Sequence, residues 1–265
     1  MIVLDEEPLY QNYPYRGFPA DLALTGDTTA TLQALNKLLQ DRQVDADTIE
    51  VRRQCCEQKK QERIRQLQKK VEQIKTATPI ATSWLSHCVG EIFNADTDIL
   101  LTEFVLDPTQ VCVTRPGSYF DHSHAGGLGW SLGAALGAKL AAPEKNVICC
   151  VGEGTYTFGV PLATHHMSAM HDLPILFVIF NNAAYERTRL GSRRVVKQGA
   201  VQDLEKVPLC ELEPVPAYEM VCEAAGGYGE KVEDPEQLQA ALRRAMKVVT
   251  EEGRQALLNV ICAKS

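Results

Sequence analysis

No run of apolar residues in this 265-residue chain approaches the roughly 18 that a membrane-spanning helix needs. The opening MIVLDEEPLYQ has acids where a secretion signal carries a basic flank and a long apolar stretch. Both features argue against membrane insertion and export, and the expected location is the cytosol. A second absence is C-x-x-C. The nine cysteines are odd in number and fall as Cys55-Cys56, Cys149-Cys150 and scattered singles, which speaks against a zinc ribbon and against a disulfide framework. Positive charge is also in deficit, with 27 Lys and Arg against 34 Asp and Glu and a net charge of −7. A chain built to coat nucleic acid or an anionic membrane would have the opposite balance, so small molecules and other proteins are the expected partners. The phosphate-binding P-loop and the dinucleotide fingerprint are missing too.

What the chain does contain changes in texture along its length. Residues 1–40 mix Pro, Tyr and short apolar pieces and end in TTATLQALNKLL, whose i, i+3, i+4 apolar spacing predicts one amphipathic helix starting at a Thr cap. Residues 41–78 form a highly charged stretch in which Ile64, Leu67, Val71 and Ile74 make a narrow stripe, predicting a solvated helical linker. The basic excess there lacks interleaved aromatics, which weighs against RNA binding. From residue 79 to 265, helical and β-rich apolar segments alternate. VICCV, ILFVIF and LLNVIC are almost wholly apolar, as expected of parallel strands covered on both faces. The fold class expected is therefore α/β, a parallel sheet with helices on both faces, preceded by a helical linker. Cys149 and Cys150 lie inside one such strand and read as small buried hydrophobes. Asp234-Pro235 reads as a helix start, with Asp capping and Pro in the first position.

In an open parallel sheet, ligands bind at the carboxyl ends of the strands. Two glycine-rich segments fall there. GSYFDHSHAGGLGW precedes the small-residue helix SLGAALGAKLA, and its glycines would let backbone approach a ligand closely. Gly152-Glu153-Gly154-Thr155 follows NVICCV as a loop ahead of the helix VPLATHHMSAM, and its carboxylate and N–H groups suit a metal and the phosphates bridged to it. After ILFVIF come Asn181 and Asn182. Adjacent strands lie only about 5 Å apart, so an amide oxygen there can reach the same hard cation. The spacings of His165, His166 and His171 do not converge on one helix face, and packing or surface roles are expected.

Glycine, acid, glycine, a helix, an apolar strand and Asn-Asn resembles the pyrophosphate-binding domain of thiamine-diphosphate enzymes of the acetolactate synthase, benzaldehyde lyase and benzoylformate decarboxylase type. That family's signature is Gly-Asp-Gly, then about 25 to 30 residues, then Asn-Asn. GLGWSLGAALGAKLA is similar to its cofactor-facing loop and helix, and residues 13–39 to the end of its central domain, so that residues 1–40 are expected to be a remnant of that domain. The resemblance implies the cofactor's fold, with Mg²⁺ held by Glu153, the Asn182 side chain and the Ala184 carbonyl. It implies diphosphate at Gly152, Gly154 and Thr155, and a cofactor-facing loop at Gly126, Gly127 and Leu128, in which Leu128 props the bent cofactor and the Gly126 carbonyl faces its 4′-amino group.

Three departures accompany the resemblance. Glu153 stands where the family has Asp, His124 stands where the glycine loop usually has a small residue, and the N-terminal pyrimidine-binding domain, with its activating glutamate, has no counterpart in the sequence. The implied activity is carboligation or lysis of a C–C bond next to a carbonyl of keto acids, in a homo-oligomer or with a second chain supplying the missing domain. An alternative without thiamine is condensation or decarboxylation of 3-oxo acids, with His122 or His124 as acid or base and metal on Glu153 and Asn182. Backbone-bonded histidines are the competing assignment at both positions. A further alternative is a non-catalytic subunit partnering a full-length homologue.

Overall fold

The near-continuous apolar segments pair side by side because a strand buried on both faces has nowhere to place polar side chains. A computed structural model describes residues 1–8, 19–40, 42, 45–122 and 127–264, and the chain divides into two compact units, 1–64 and 65–265. In the first unit, β1 (Ile2–Asp5) and β2 (Leu22–Thr25) pair in parallel. They are followed by α1 (Thr28–Gln40) and the start of α2 (Ala46–Ile74). The cap of α1 is Asp27, whose carboxylate accepts the Ala30 N–H at 2.6 Å, and not a threonine as expected. Aspartate accepts from these free amides with a full charge and so outcompetes the hydroxyl next to it. No residue of α1 is buried.

The second unit continues from the last turns of α2 through α3 (Thr82–Ile92), β3 (Asp98–Glu103), β4 (Tyr119–Phe120), α4 (Trp130–Ala141), β5 (Asn146–Gly152), α5 (Glu153–Phe158) and α6 (Pro161–Met170). It ends with β6 (Ile175–Asn181), α7 (Glu186–Val195), α8 (Tyr218–Ala224), β7 (Tyr228–Val232), α9 (Leu238–Glu251) and β8 (Ala256–Ile261). Six of its strands form one all-parallel sheet in the order β4-β3-β5-β6-β8-β7. Successive side chains on a strand point to opposite faces, so β5 divides its cysteines between two cores. Cys150 joins Ile148, Leu176 and Leu258 in the core shared with α3 and α9. Cys149 joins Val147, Phe177 and Leu132 in the core shared with α4 and α8. Both thiols are fully buried, and burial pushes that of Cys149 up to about 12, so they pack as hydrophobes. Of the apolar stripe on α2, only Val71 is buried.

Two local expectations are corrected. Helix α9 begins at Leu238, while Asp234 accepts the Glu236 N–H at 2.9 Å and holds a preceding turn. The 153–155 segment is the first turn of a short helix and not a loop. No helix among the described residues is long and apolar enough to cross a membrane.

Behind α5 lies a buried polar relay. Gln255 donates its amide N–H to the His165 carbonyl at 2.9 Å, which leaves its Oε1 to accept from His165 Nδ1 at 2.7 Å. Nε2 therefore accepts the Tyr156 hydroxyl proton, at 2.8 Å. Burial pushes the His165 imidazole below its ordinary range, against the Gln255 bond. Below the unfolded value of about 6.5, the unfolded chain binds a proton that folded His165 does not, so stability falls as pH drops towards the lower folded value. Replacing His165→Gln should accordingly cost most near pH 7.5 and progressively less below about pH 6.5. Urea titrations of both proteins across pH 5–8 check this, and a pH-independent difference between them would refute it.

Candidate active site

The carboxyl ends of β5 and β6 are neighbours, with Gly152 in register with Phe180. Beyond β5 the chain turns directly into α5, so Glu153 begins a helix with its side chain directed back at the adjacent strand end. Glu153 is 1% exposed, and its Oε1 accepts the Ala184 N–H at 2.7 Å. Burial pushes its carboxyl above the usual range, partly offset by the backbone N–H groups of Glu153, Ala184 and Asn182. Asn182 Oδ1 accepts the same Ala184 N–H, at 3.1 Å. The two side-chain oxygens are therefore no farther apart than these two bonds laid end to end.

The turn carrying Asn182 and Ala184 is held from behind. Ala183 lies in the left-handed region at φ 57°, a strained conformation for a residue with a Cβ. Its N–H donates to Asn181 Oδ1 at 3.2 Å. Asn181 in turn donates to Asn259 Oδ1, and Asn259 to Glu219 Oε2, each at 2.8 Å. This chain of buried amides runs under the sheet end and fixes where the Ala184 N–H points.

A cavity of about 410 Å³ opens at these strand ends. Gly152, Glu153, Gly154, Thr155, Asn182, Ala184 and Leu128 all line it, so seven of the expected site residues converge on one space. Gly127 is exposed and is not among the lining residues. His124 and Gly126 lie outside the described residues. His122 is described and does not line the cavity; its ring stacks on Phe104 at 4.0 Å and its Nδ1 lies 3.1 Å from Asp121. Gly154 has no room for a side chain, because a Cβ there would meet the Tyr185 ring at 2.4 Å.

Glutamate, amide and carbonyl oxygens are the donor types that a small hard cation takes. Glu153 is the one of these that carries charge. It is buried against backbone N–H donors, with the Glu186 carboxylate acting on it as well, so the group suits a cation chemically. Burial of Thr155 beside Gly154 adds a hydroxyl to the cavity floor.

Several residues at the site have no counterpart among the expected ones. Glu103, at the end of β3, is 1% exposed and accepts from Gly129 N–H at 2.9 Å, Ser131 N–H at 3.0 Å and Ser131 Oγ at 2.8 Å. It thereby caps α4 and sets the approach of Leu128. Its signal was a carboxylate at the carboxyl end of the strand DILLTE; for Asn259 it was a single amide inside LLNVIC. Phe104, next to Glu103, sits at φ 66°, a conformation that costs a non-glycine residue about 1 to 3 kcal/mol. Sequence gives no sign of that strain.

Residues 107–260 match the family described as "Thiamine pyrophosphate enzyme, C-terminal TPP binding domain". An acetolactate synthase large subunit of Mycobacterium tuberculosis is 32% identical over 147 residues, 55% of this chain and 24% of the relative. Benzoylformate decarboxylase of Pseudomonas aeruginosa is 32% identical over 140 residues, 52% of this chain and 24% of that protein. Mouse 2-hydroxyacyl-CoA lyase 1 is 34% identical over 137 residues, 51% of this chain and 22% of that protein. The chain thus matches about a quarter of the length of these relatives. In fold it is similar to the thiamine diphosphate-dependent 4-hydroxybenzoylformate decarboxylase of Rhodococcus jostii RHA1, with a TM-score of 0.60 at 23% identity, over 71% of this chain and 34% of that one.

Proposed function

Because the chain belongs to the thiamine pyrophosphate enzyme family through its C-terminal TPP binding domain, we propose that it binds thiamine diphosphate with Mg²⁺ at the ends of β5 and β6. There it would serve the making or breaking of a C–C bond next to the carbonyl of a keto acid. The observation that carries this reading is the pair of oxygens, Glu153 Oε1 and Asn182 Oδ1, that share the Ala184 N–H.

Glu153, the Asn182 side chain and the Ala184 carbonyl would hold the metal, and Gly152, Gly154 and Thr155 would meet the diphosphate. Thiamine diphosphate supplies, when bound, an electron-pair donor that inverts the ordinary polarity of a carbonyl carbon. The protein's part is to orient and to exclude water. Leu128 offers an apolar prop, and Glu103 holds its loop through Gly129. The Glu219–Asn259–Asn181 chain keeps the Ala184 turn in its strained form against both oxygens. Nine cysteines without a disulfide support a reducing compartment, the cytosol.

Self-association belongs to the same proposal. The family resemblance puts active sites between subunits, and Phe158, Val160, Leu162 and Met220 are each more than half exposed, the last three lining one shallow depression. Sedimentation velocity at micromolar concentration should give a dimer or tetramer, and a strictly monomeric species would count against it. The reaction itself is tested by turnover of 2-oxo and 3-oxo acids with and without thiamine diphosphate. Cofactor-dependent loss of 2-oxo acid is expected, and cofactor-independent turnover of 3-oxo acids would replace this reading.

A further inference from the structure

We infer that Arg187, at the mouth of the cavity, is the group that recognises the carboxylate of the keto-acid substrate. The inference rests on the keto-acid reading above and adds to it the residue that selects the anionic head.

Three carboxylates line the cavity, and each is engaged elsewhere. Glu103 takes three bonds from the start of α4. Glu153 faces the Ala184 turn. Glu186 forms a bidentate pair with Arg189, at 2.6 and 2.9 Å. Arg187 is the one cation among the described lining residues, and it has no carboxylate partner among the described residues. Its guanidinium is nevertheless placed. Nη2 donates to the Phe104 carbonyl at 3.1 Å, and the guanidinium carbon lies 5.3 Å from the centre of the Phe104 ring.

Phe104 adopts the left-handed conformation at the turn out of β3, at φ 66°. The His122 ring, stacked on it at 4.0 Å, braces it from outside the cavity. A backbone strained at a bulky residue persists only where its surroundings hold it, and such positions gather at binding sites. Here the strained residue presents both its carbonyl and its ring to the arginine. A planar guanidinium held by one edge keeps its remaining N–H groups for a planar oxyanion, the geometry for which arginine is suited and lysine is not. Leu128, Phe180 and Leu190 give the same cavity apolar wall. A cation at the mouth and hydrocarbon within select an anionic head with an apolar tail. His122, on this assignment, is a positioning residue for Phe104.

The source of the anion is distinguished by three probes titrated into the full chain with Mg²⁺ by calorimetry: phenylglyoxylate, its methyl ester, which lacks the charge, and inorganic diphosphate. The wild-type protein should bind phenylglyoxylate about tenfold or more tightly than the ester, the scale of a hydrogen bond to a charged group. Arg187→Ala should bring phenylglyoxylate down to the level of the ester and leave the ester and diphosphate unchanged. Arg187→Lys should fall between, since it keeps the charge and loses the fork and the ring contact. Phe104→Leu should weaken phenylglyoxylate alone by releasing the guanidinium. Equal affinity for acid and ester in the wild type, or undiminished acid binding in Arg187→Ala, would overturn the inference. Loss of diphosphate with the acid retained would also overturn it, giving Arg187 to the cofactor. These outcomes stand apart from the proposed function, which fails if thiamine diphosphate does not bind, whatever Arg187 does.

Discussion

Glu153→Ala is expected to abolish the divalent-ion dependence of thiamine-diphosphate binding and to weaken that binding by at least about a hundredfold, while the ligand-free protein melts no lower than the wild type. The first part follows from charge. Glu153 is the one anionic member of the proposed ligand set, and a hard cation among neutral oxygens alone is held far more weakly. The second part follows from the surroundings of the carboxylate. Burial works against its charged form, and the Ala184 N–H that it accepts stays bonded to Asn182 Oδ1 when the carboxylate is gone. Removal therefore relieves a buried charge and leaves the Ala184 N–H paired, which offsets the loss of the carboxylate to the Glu153 and Asn182 N–H groups. Glu153→Asp should keep or raise the affinity, since it restores the acid length of the family's Gly-Asp-Gly. Calorimetry with and without Mg²⁺, beside thermal melts of the ligand-free variants, checks both halves. A collapse in melting temperature with metal dependence intact would assign Glu153 to the fold.

Glu103→Ala is expected to lower unfolding stability by about 3 kcal/mol or more. Its carboxylate satisfies two backbone N–H groups and one hydroxyl at the buried start of α4. The alanine variant leaves all three without that acceptor, at about 1 to 3 kcal/mol for each buried group left unpaired. Gly129, at φ 89°, cannot rotate its N–H to water freely, since its Cα is pressed on the backbone of Phe158 and Gly159, where a Cβ would come within 2.6 Å. Urea unfolding measures the loss, and amide exchange at Gly129 and Ser131 locates it. A midpoint unchanged in Glu103→Ala would contradict this account of how the Leu128 loop is held.

The two variants separate what sequence conveys from what it does not. The sheet was legible because its strands are buried on both faces and so carry an unbroken apolar signal, as in NVICCVG and ILFVIF. β7, with the sequence YGEKV, carries no such signal. It lies at the sheet edge, where Lys231 is exposed, and it is a strand because its neighbours make it one: a Cβ at Gly229 would meet the Glu219 carbonyl at 2.3 Å. The helix starts were misjudged for a related reason. Asp27 caps where a threonine was expected, and Asp234, expected to cap α9, holds the turn before it, because which amide a carboxylate accepts depends on the turn around it. At the site, the Gly-Glu-Gly and Asn-Asn segments were visible because their chemistry is local in sequence and the sheet brings them together. Glu103, Asn259, Tyr185 and Arg187 act on residues 26 or more positions away or through one strained turn, and spacing along the chain carries no trace of such contacts.

The most direct test of the site is calorimetric titration of thiamine diphosphate into the full chain, with and without Mg²⁺. Saturable binding near one cofactor per chain, present with Mg²⁺ and lost on chelation, is the result expected of a site built on Glu153, Asn182 and Ala184. Absence of binding in saturating Mg²⁺, or binding indifferent to the metal and to Glu153→Ala, would contradict it.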